Sequence, residues 1–168
     1  MNSLRLAAYD TMYPRKPSIK IDRIVIHTME GSFSGTIAWF QKSGRKVPTA
    51  AHYLFSVDGD VCQMVPDERK CYHAGSSTER GWNDRSIGFE HEGHASQVVW
   101  PEAMLVASAR CAAVLCRKFA IPIDREHIVG HVEVPGVTHT DPGSHWPWAH
   151  YMQLVLAASQ GDKVSAAP

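Results

Sequence analysis

The sequence predicts an α/β protein with one domain, in which a central mixed β-sheet carries helices on both faces. The run Ile21–Ile26 is apolar and β-branched, as is typical of a central strand that is covered on both sides. Between Pro101 and Ala120, apolar residues recur at steps of three and four, which predicts a long amphipathic helix. The predicted elements follow the order strand, helix, hairpin, strand, strand, helix, loop and helix, and this order favours one mixed sheet.

The composition fits a single globular domain with a sizeable core, because 44% of the 168 residues are hydrophobic and 20% are charged. The formal net charge is zero, so nothing in the charge balance favours nucleic acid or an anionic membrane as a partner. The ten histidines are the outlier, and they favour a metal or proton-transfer site. We expect the protein to be a monomer.

The N-terminus has no apolar run long enough for a signal peptide, and no segment approaches the ~20 apolar residues of a membrane helix. The sequence therefore predicts synthesis in the cytoplasm without membrane insertion. We expect three regions: an N-terminal arm outside the core at 1–20, a catalytic domain at 21–158, and a C-terminal tail or linker stub at 159–168.

The four cysteines, Cys62, Cys71, Cys111 and Cys116, do not form the CxxC pairs of a zinc knuckle. A disulfide between Cys62 and Cys71 across neighbouring strands is one alternative. Reduced, buried thiols are the simpler prediction.

Local signals place the first helix and a hairpin in the N-terminal half. Ser34 or Thr36 is expected to cap a helix that stops near Gly44. Ala50–Val57 and Asp60–Val65 then flank an Asp-Gly pair, which is the strongest short-range hairpin signal. A strand near 69–73 and a loop over 74–81 follow.

Further signals place the later elements. Ser86–Glu90 is predicted to be another buried strand, and Pro101 is expected at the first position of the long helix. Ile128-Val129 forms a short strand, and Ser144 is expected to cap a last helix that runs through Leu156.

The segment Gly130–Gly143 is so dense in turn formers that we predict a loop. Binding and catalytic groups collect on loops that a rigid scaffold holds. His131 and Asp141 come together if this loop folds back, and His27, at the end of the first strand, is the best candidate for a third group. Two imidazoles and one carboxylate are a common catalytic zinc set.

A zinc site of this kind also needs a carboxylate that handles protons and is not a ligand. Glu90 follows the apolar strand, and Glu92 lies two residues on, on the same side of an extended chain. The spacing alone does not show which of the two carboxylates handles protons.

The motifs together resemble the zinc-dependent N-acetylmuramoyl-L-alanine amidases of the type-2 amidase and peptidoglycan recognition protein family. The resemblance covers residues 21–148 approximately, and the residues of the motifs are most similar to those of actinobacterial and phage endolysin members. The motifs stand in the family's order: Ile24-Val-Ile-His27-Thr28, Ala51-His52-Tyr53, Asp58-Gly59, Tyr72-His-Ala-Gly75, Asn83-Asp-Arg-Ser-Ile-Gly-Phe-Glu90, Gly130-His131 and Thr140-Asp-Pro-Gly143.

The resemblance implies one zinc ion, held by His27, His131 and Asp141. It also implies that Glu90 is the catalytic glutamate. Glu90 is thus preferred to Glu92 by resemblance only. His139 stands where the family usually has a lysine that stabilises the oxyanion. An imidazole can donate a hydrogen bond there, but its charge depends on pH.

The activity that the resemblance implies is hydrolysis of the amide bond between the N-acetylmuramic acid lactyl group and L-alanine of peptidoglycan. His52, His73, Asn83 and Trp82 are candidates for substrate binding, and packing is an equal alternative for the first three. Rival functions are a non-catalytic peptidoglycan-binding module, a cytoplasmic recycling amidase for anhydro-muropeptides, and another zinc hydrolase such as an esterase. We favour an enzyme that degrades the cell wall.

Overall fold

A computed structural model of the chain describes residues 3–4, 6–75 and 81–164. Its main sheet has six strands in the spatial order β1-β5-β4-β7-β3-β8: β1 Ser3–Leu4, β3 Arg23–Thr28, β4 Tyr53–Phe55, β5 Val61–Gln63, β7 Ser86–His91 and β8 Ile128–Gly130. A second sheet pairs β2 Tyr13–Pro14 with β6 Arg69–Lys70. The helices are α1 Phe33–Gln41, α2 Trp82–Arg85, α3 Glu102–Phe119 and α4 Trp148–Val164.

The predicted α/β class is confirmed, since β4, β7, β3 and β8 run parallel while β5 is antiparallel to β4. Side-chain alternation separates the two faces of the sheet. Tyr53 and Phe55 pack into the cluster that contains buried residues of α3 and α4. Leu54, between them, packs on the other face with Ile37 and Phe40 of α1. Helices therefore cover both faces.

The predicted hairpin is confirmed with shorter strands. Phe55 of β4 pairs with Val61 of β5, and Gly59 in the turn has a φ of 87°. This left-handed conformation is one that glycine adopts without steric cost. Within the described residues, no helix is both long and apolar enough to cross a membrane.

Helix α1 begins earlier than predicted. Its cap is Ser32, whose hydroxyl accepts a hydrogen bond from the Gly35 N–H at 3.2 Å, and neither Ser34 nor Thr36 is in the cap position. The helix ends at Gln41, ahead of Gly44. Ser32, Ser34 and Thr36 stand at alternate positions, and each is a residue type that can cap a helix. The direction in which the chain enters the helix selects one of them.

The bounds of the two long helices also differ from the prediction. Pro101 has an extended ψ of 129° and lies just before α3 rather than at its first helical position. Helix α4 begins at Trp148, not near Ser144, because a turn in which the Trp146 N–H bonds to the Gly143 carbonyl comes first. The helix continues past Leu156, into the segment expected to be a tail.

The expectation that residues 1–20 lie outside the core is wrong. Ala7 and Met12 are buried in the same cluster as Phe40. The Arg15 guanidinium donates hydrogen bonds to the carbonyls of Asp67, Asn83, Asp84 and Ser86. The polar and proline-rich composition of this segment hides the few apolar residues that anchor it. The three-region division of the chain remains a prediction.

Two further expectations concern the cysteines and the loop over 74–81. The four cysteines all lie within the described residues and form no disulfide; Cys62, Cys71 and Cys116 are buried thiols as predicted, whereas Cys111 is partly exposed. The Cys62 thiol donates to the Met64 sulfur at 3.5 Å. The loop predicted over 74–81 stays a prediction, because residues 76–80 lie outside the described part of the chain.

Candidate active site

Three parallel strands deliver the site to one edge of the sheet. His27 of β3 pairs in register with Glu90 of β7, and Ile26 pairs with Gly130 of β8, so His131 follows beside His27. The carboxyl ends of adjacent parallel strands meet at the same edge, where ligands gather in open α/β sheets. The sheet topology thus brings residues that are distant in the sequence together.

The structure brings His27, His131 and Asp141 into one buried cluster, with 2%, 4% and 6% of their surfaces exposed. The Nδ1 atom of His27 lies 3.0 Å from Asp141 Oδ2, and the Nδ1 atom of His131 lies 3.1 Å from Asp141 Oδ1. One potential ligand atom from each residue lies within 4.8 Å of the other two. The predicted backfolding of the loop is therefore observed.

Local backbone contacts hold this loop in place. The Val132 N–H donates to the Asp141 carbonyl at 2.9 Å, which ties the start of the loop to its end. A Cβ atom on Gly130 would lie 2.7 Å from Pro142 Cδ, so only glycine permits this close approach. The loop is thus closed by the contact between a glycine and a proline on either side of it.

The electrostatics of the cluster suit a cation. Burial lowers the pKa of His27 to about 4, so this imidazole is neutral at pH 7. Burial acts to raise the pKa of Asp141, but the imidazoles of His131 and His27 beside it outweigh this effect and hold that pKa well below its usual range. His131 Nε2 is buried and has no hydrogen-bond partner within the described residues. Two imidazole nitrogens and one carboxylate form a donor set that fits zinc.

Glu90 lies next to the cluster, and Glu92 does not. Glu90 lines the same cavity as His27, and its Oε2 is buried with no hydrogen-bond partner in the described part of the chain. Burial, followed by repulsion from Asp141, raises the pKa of Glu90 well above its ordinary value. The Glu92 carboxylate instead accepts the N–H groups of Phe33 and Val57, both at 2.9 Å, and so pins α1 to the hairpin.

His139 lies over the cluster at its open side. Its ring stacks on His131 with centroids 4.3 Å apart, and its Nδ1 lies 3.7 Å from Asp141 Oδ1. The side chain is 64% exposed, so it faces the cavity from which a substrate would approach.

The cavity has a volume of about 680 Å³, and one of its walls is apolar. Phe40, Val47 and Tyr72 line that wall. None of these three residues was predicted to line a cavity, because an apolar residue that lines a cleft has the same local pattern as one in the core.

Of the four predicted substrate-binding residues, His73 alone lines this cavity. It is 9% exposed, and its Nδ1 lies 3.0 Å from His27 Nε2. Asn83 lies behind it: the amide oxygen accepts the N–H groups of His73 and Ala74 at 3.0 and 2.9 Å, and the amide nitrogen donates to the Gly75 carbonyl.

His52 and Trp82 occupy packing positions. His52 is fully buried, accepts the Gly88 N–H at 3.0 Å through Nδ1, and lies 3.1 Å from the Arg69 carbonyl through Nε2. Trp82 is 5% exposed and stacks under the Arg23 guanidinium at 4.4 Å. Side chains buried in this way offer little surface to a substrate, so the position of each fits packing.

A buried His–His–Asp cluster beside a carboxylate, at the edge of a mixed β-sheet, is typical of metal-dependent hydrolases. A family model described as N-acetylmuramoyl-L-alanine amidase matches residues 17–144, and the chain belongs to this family. It is therefore an amide hydrolase that acts on peptidoglycan.

Relatives and solved structures agree with this family. The chain is 33% identical over 151 residues to N-acetylmuramoyl-L-alanine amidase A of Achromobacter lyticus, covering 79% of this chain and 81% of that protein. It is 32% identical over 113 residues to the 1,6-anhydro-N-acetylmuramyl-L-alanine amidase AmpD of Citrobacter freundii, covering 66% of this chain and 59% of that protein. The crystal structure of a selenomethionine AmpD derivative has the same fold, with a TM-score of 0.78 and 24% identity over 92% of this chain and 94% of that one.

Proposed function

We propose that the protein is a zinc-dependent N-acetylmuramoyl-L-alanine amidase that degrades polymeric cell-wall peptidoglycan. The observation that carries this proposal is the convergence of His27, His131 and Asp141 on one point, with Glu90 beside them in the same cavity. In this proposal His27, His131 and Asp141 hold one zinc ion, Glu90 transfers protons, and His139 stabilises the oxyanion.

Zinc bound at this cluster supplies a Lewis acid that polarises the lactyl carbonyl and lowers the pKa of water. The Glu90 carboxylate accepts a proton from the water whose oxygen attacks the carbonyl carbon. A cation in the cluster favours the ionised form of Glu90, which accepts the proton. The raised pKa of the buried Glu90 then favours the protonated form, which holds the proton until it is transferred.

The second half of the reaction uses the same carboxyl group. Glu90 returns its proton to the L-alanine nitrogen as the C–N bond breaks, which yields a lactyl carboxylic acid and a free amine. At neutral pH the acid proton then passes to the amine, so the products are a carboxylate and an ammonium group. In this proposal His139 donates a hydrogen bond to the oxyanion before the C–N bond breaks, and its exposed ring beside Asp141 supports this role. We assign no substrate contact to His52, Asn83 or Trp82, because none of them lines the cavity.

Recycling of small anhydro-muropeptides is a second candidate function, and the similarity to AmpD supports it. The similarity to amidase A covers more of both chains, and on this ground we favour the cell wall as the substrate and a lysin as the biological role. We further propose that the enzyme acts as a monomer. A non-catalytic binding module is disfavoured, because such a module has no need of a carboxylate beside the cluster.

The test is hydrolysis of purified peptidoglycan and, in parallel, of a defined anhydro-muropeptide, with products read by mass spectrometry. The protein is assayed as made, after a chelator, and after zinc is restored. Stem peptides with a free L-alanine amine, released from the polymer in a zinc-dependent manner, are the expected result. Cleavage of the small substrate alone would replace the lysin with the recycling function, and zinc binding without any cleavage would indicate a recognition module.

A further inference from the structure

We propose that His73 is a positioning residue, which fixes the tautomer of His27 through a directed hydrogen-bond chain that ends on a backbone carbonyl. The inference rests on the proposed zinc site, since it assigns the orientation of one of its ligands. The chain runs from His27 through His73 and Ser86 to the carbonyl of Trp82.

The direction of this chain follows from its last member. Ser86 Oγ makes a close contact with the Trp82 carbonyl, and a carbonyl oxygen only accepts, so the single hydroxyl proton of Ser86 points there. The Ser86 oxygen must then accept from His73 Nε2, which lies 3.2 Å away. Because a neutral imidazole has one N–H group, the Nδ1 atom of His73 is an acceptor.

The same reasoning extends to the ligand. His73 Nδ1 accepts the Nε2–H of His27 at 3.0 Å. His27 therefore keeps the lone pair on Nδ1, the nitrogen that lies 3.0 Å from Asp141 Oδ2. Two acceptors facing each other at this distance repel unless a cation lies between them. The chain thus holds His27 in the form that binds a metal, as hydrogen-bond partners of ligating histidines do in other metal sites.

The motif between Asn83 and Gly88 forms a support around His73. The Asn83 amide oxygen accepts the backbone N–H groups of His73 and Ala74, and the Ser86 hydroxyl oxygen accepts the ring N–H of His73. A Cβ atom on Gly88 would lie 2.6 Å from His73 Nδ1, so the ring occupies the space that a side chain would take. One short motif therefore supplies three separate contacts that orient one imidazole.

A substrate-binding role for His73 fits these contacts less well. Both ring nitrogens already have protein partners, at 3.0 and 3.2 Å, and the residue is 9% exposed. A substrate group could bind the ring only by displacing His27 or Ser86. The hydrogen bonds of both His73 ring nitrogens are thus made within the protein, which favours a positioning role over substrate binding.

The first test is imidazole nitrogen NMR of the metal-free and the zinc-loaded protein at pH 7.5. We expect His73 to be the Nε2–H tautomer in both states. A His73 that carries its proton on Nδ1 would overturn the proposal. This readout does not need zinc, so it separates failure of the hydrogen-bond chain from failure of the proposed zinc function, which would appear as no zinc binding by the unchanged protein.

The second test is zinc affinity by chelator competition for His73→Phe, which keeps a ring against Gly88 and removes both nitrogens. We expect affinity to fall roughly 10–100-fold. His150→Phe, on the exposed surface of α4, is the matched control and should leave zinc affinity unchanged. If His73→Phe does not fold, Ser86→Ala takes its place, with loss of the single His73 tautomer and a several-fold weaker affinity expected. Unchanged zinc affinity in the folded variant would overturn the positioning role.

Discussion

Glu90 and His27 are register partners on adjacent parallel strands, so a carboxylate and an imidazole project from the same face at the same edge of the sheet. The pairs that precede them, Ile26 with Phe89 and Ile24 with Ile87, fill the core on the opposite face. Because side chains alternate along a strand, the residues that stabilise the sheet also fix where the two polar groups emerge. A one-residue slip of β7 would bury Glu90 in the core.

Glu90→Gln is predicted to abolish amide cleavage while zinc is retained. The amide has the shape of the carboxylate but accepts no proton, and loss of general acid–base catalysis costs roughly 10²–10⁴-fold in rate. Release of stem peptides from peptidoglycan, together with zinc content, measures both effects.

The matched control for that variant is Glu92→Gln. Glu92 binds the N–H groups of Phe33 and Val57 and does not line the cavity, so its amide should retain activity. Equal activity of Glu90→Gln and the unchanged protein would remove Glu90 from the mechanism.

Zinc is predicted to stabilise the folded protein as well as activate it. A ligand that binds only the native state at 100-fold over its Kd adds about 2.7 kcal/mol to the free energy of unfolding. Chelation should therefore lower the Tm in differential scanning calorimetry, and added zinc should restore it. In Asp141→Asn the zinc-dependent rise in Tm should largely vanish, and a rise as large as that of the unchanged protein would contradict the proposed ligand set.

Gly130→Ala is predicted to displace the loop that carries Asp141. The new Cβ would lie 2.7 Å from Pro142 Cδ and 3.3 Å from the Trp148 ring, and overpacking of this kind costs about 1–3 kcal/mol. The free energy of unfolding measured in urea and the affinity for zinc should both decrease. Gly161→Ala is the control, since its added Cβ meets nothing within 4 Å beyond its own turns of helix and alanine favours helix by up to about 1 kcal/mol. Similar stability of the two variants would argue against a tight contact at Gly130.

Acid is predicted to destabilise the fold through His52. Burial, with the nearby Arg15 charge, lowers the pKa of His52 from 6.5 to about 3. Because the folded pKa lies below the unfolded value, the unfolded chain binds the proton first as pH falls. Stability from this group is full above pH 6.5 and is lost towards pH 3, at up to about 1.4 kcal/mol per pH unit.

The measurement is urea unfolding at pH 7.5 and pH 5 for the unchanged protein and for His52→Gln. The difference in unfolding free energy between the two pH values should shrink in the variant, whatever its absolute stability. A variant with the same pH dependence as the unchanged protein would show that other groups take up the proton.

Elements with a local signal could be predicted from the sequence. The apolar runs of β3 and β7, the Asp-Gly hairpin and the apolar stripe of α3 each appear within one continuous segment of the chain, and all of them are observed. The candidate ligands His27, His131 and Asp141 were also identified, because turn formers mark the loop and the motifs resemble a family.

The contacts of the polar residues around the site could not be predicted from the sequence. In the sequence, His52, His73 and Asn83 were equally suited to packing or to substrate contact, and the cap of α1 had several candidates. Their contacts join segments that are distant in the chain: His73 meets His27 and Ser86, and Arg15 reaches the carbonyls beside Asn83. Burial and hydrogen-bond direction depend on such long-range neighbours, and no local pattern of residues encodes them.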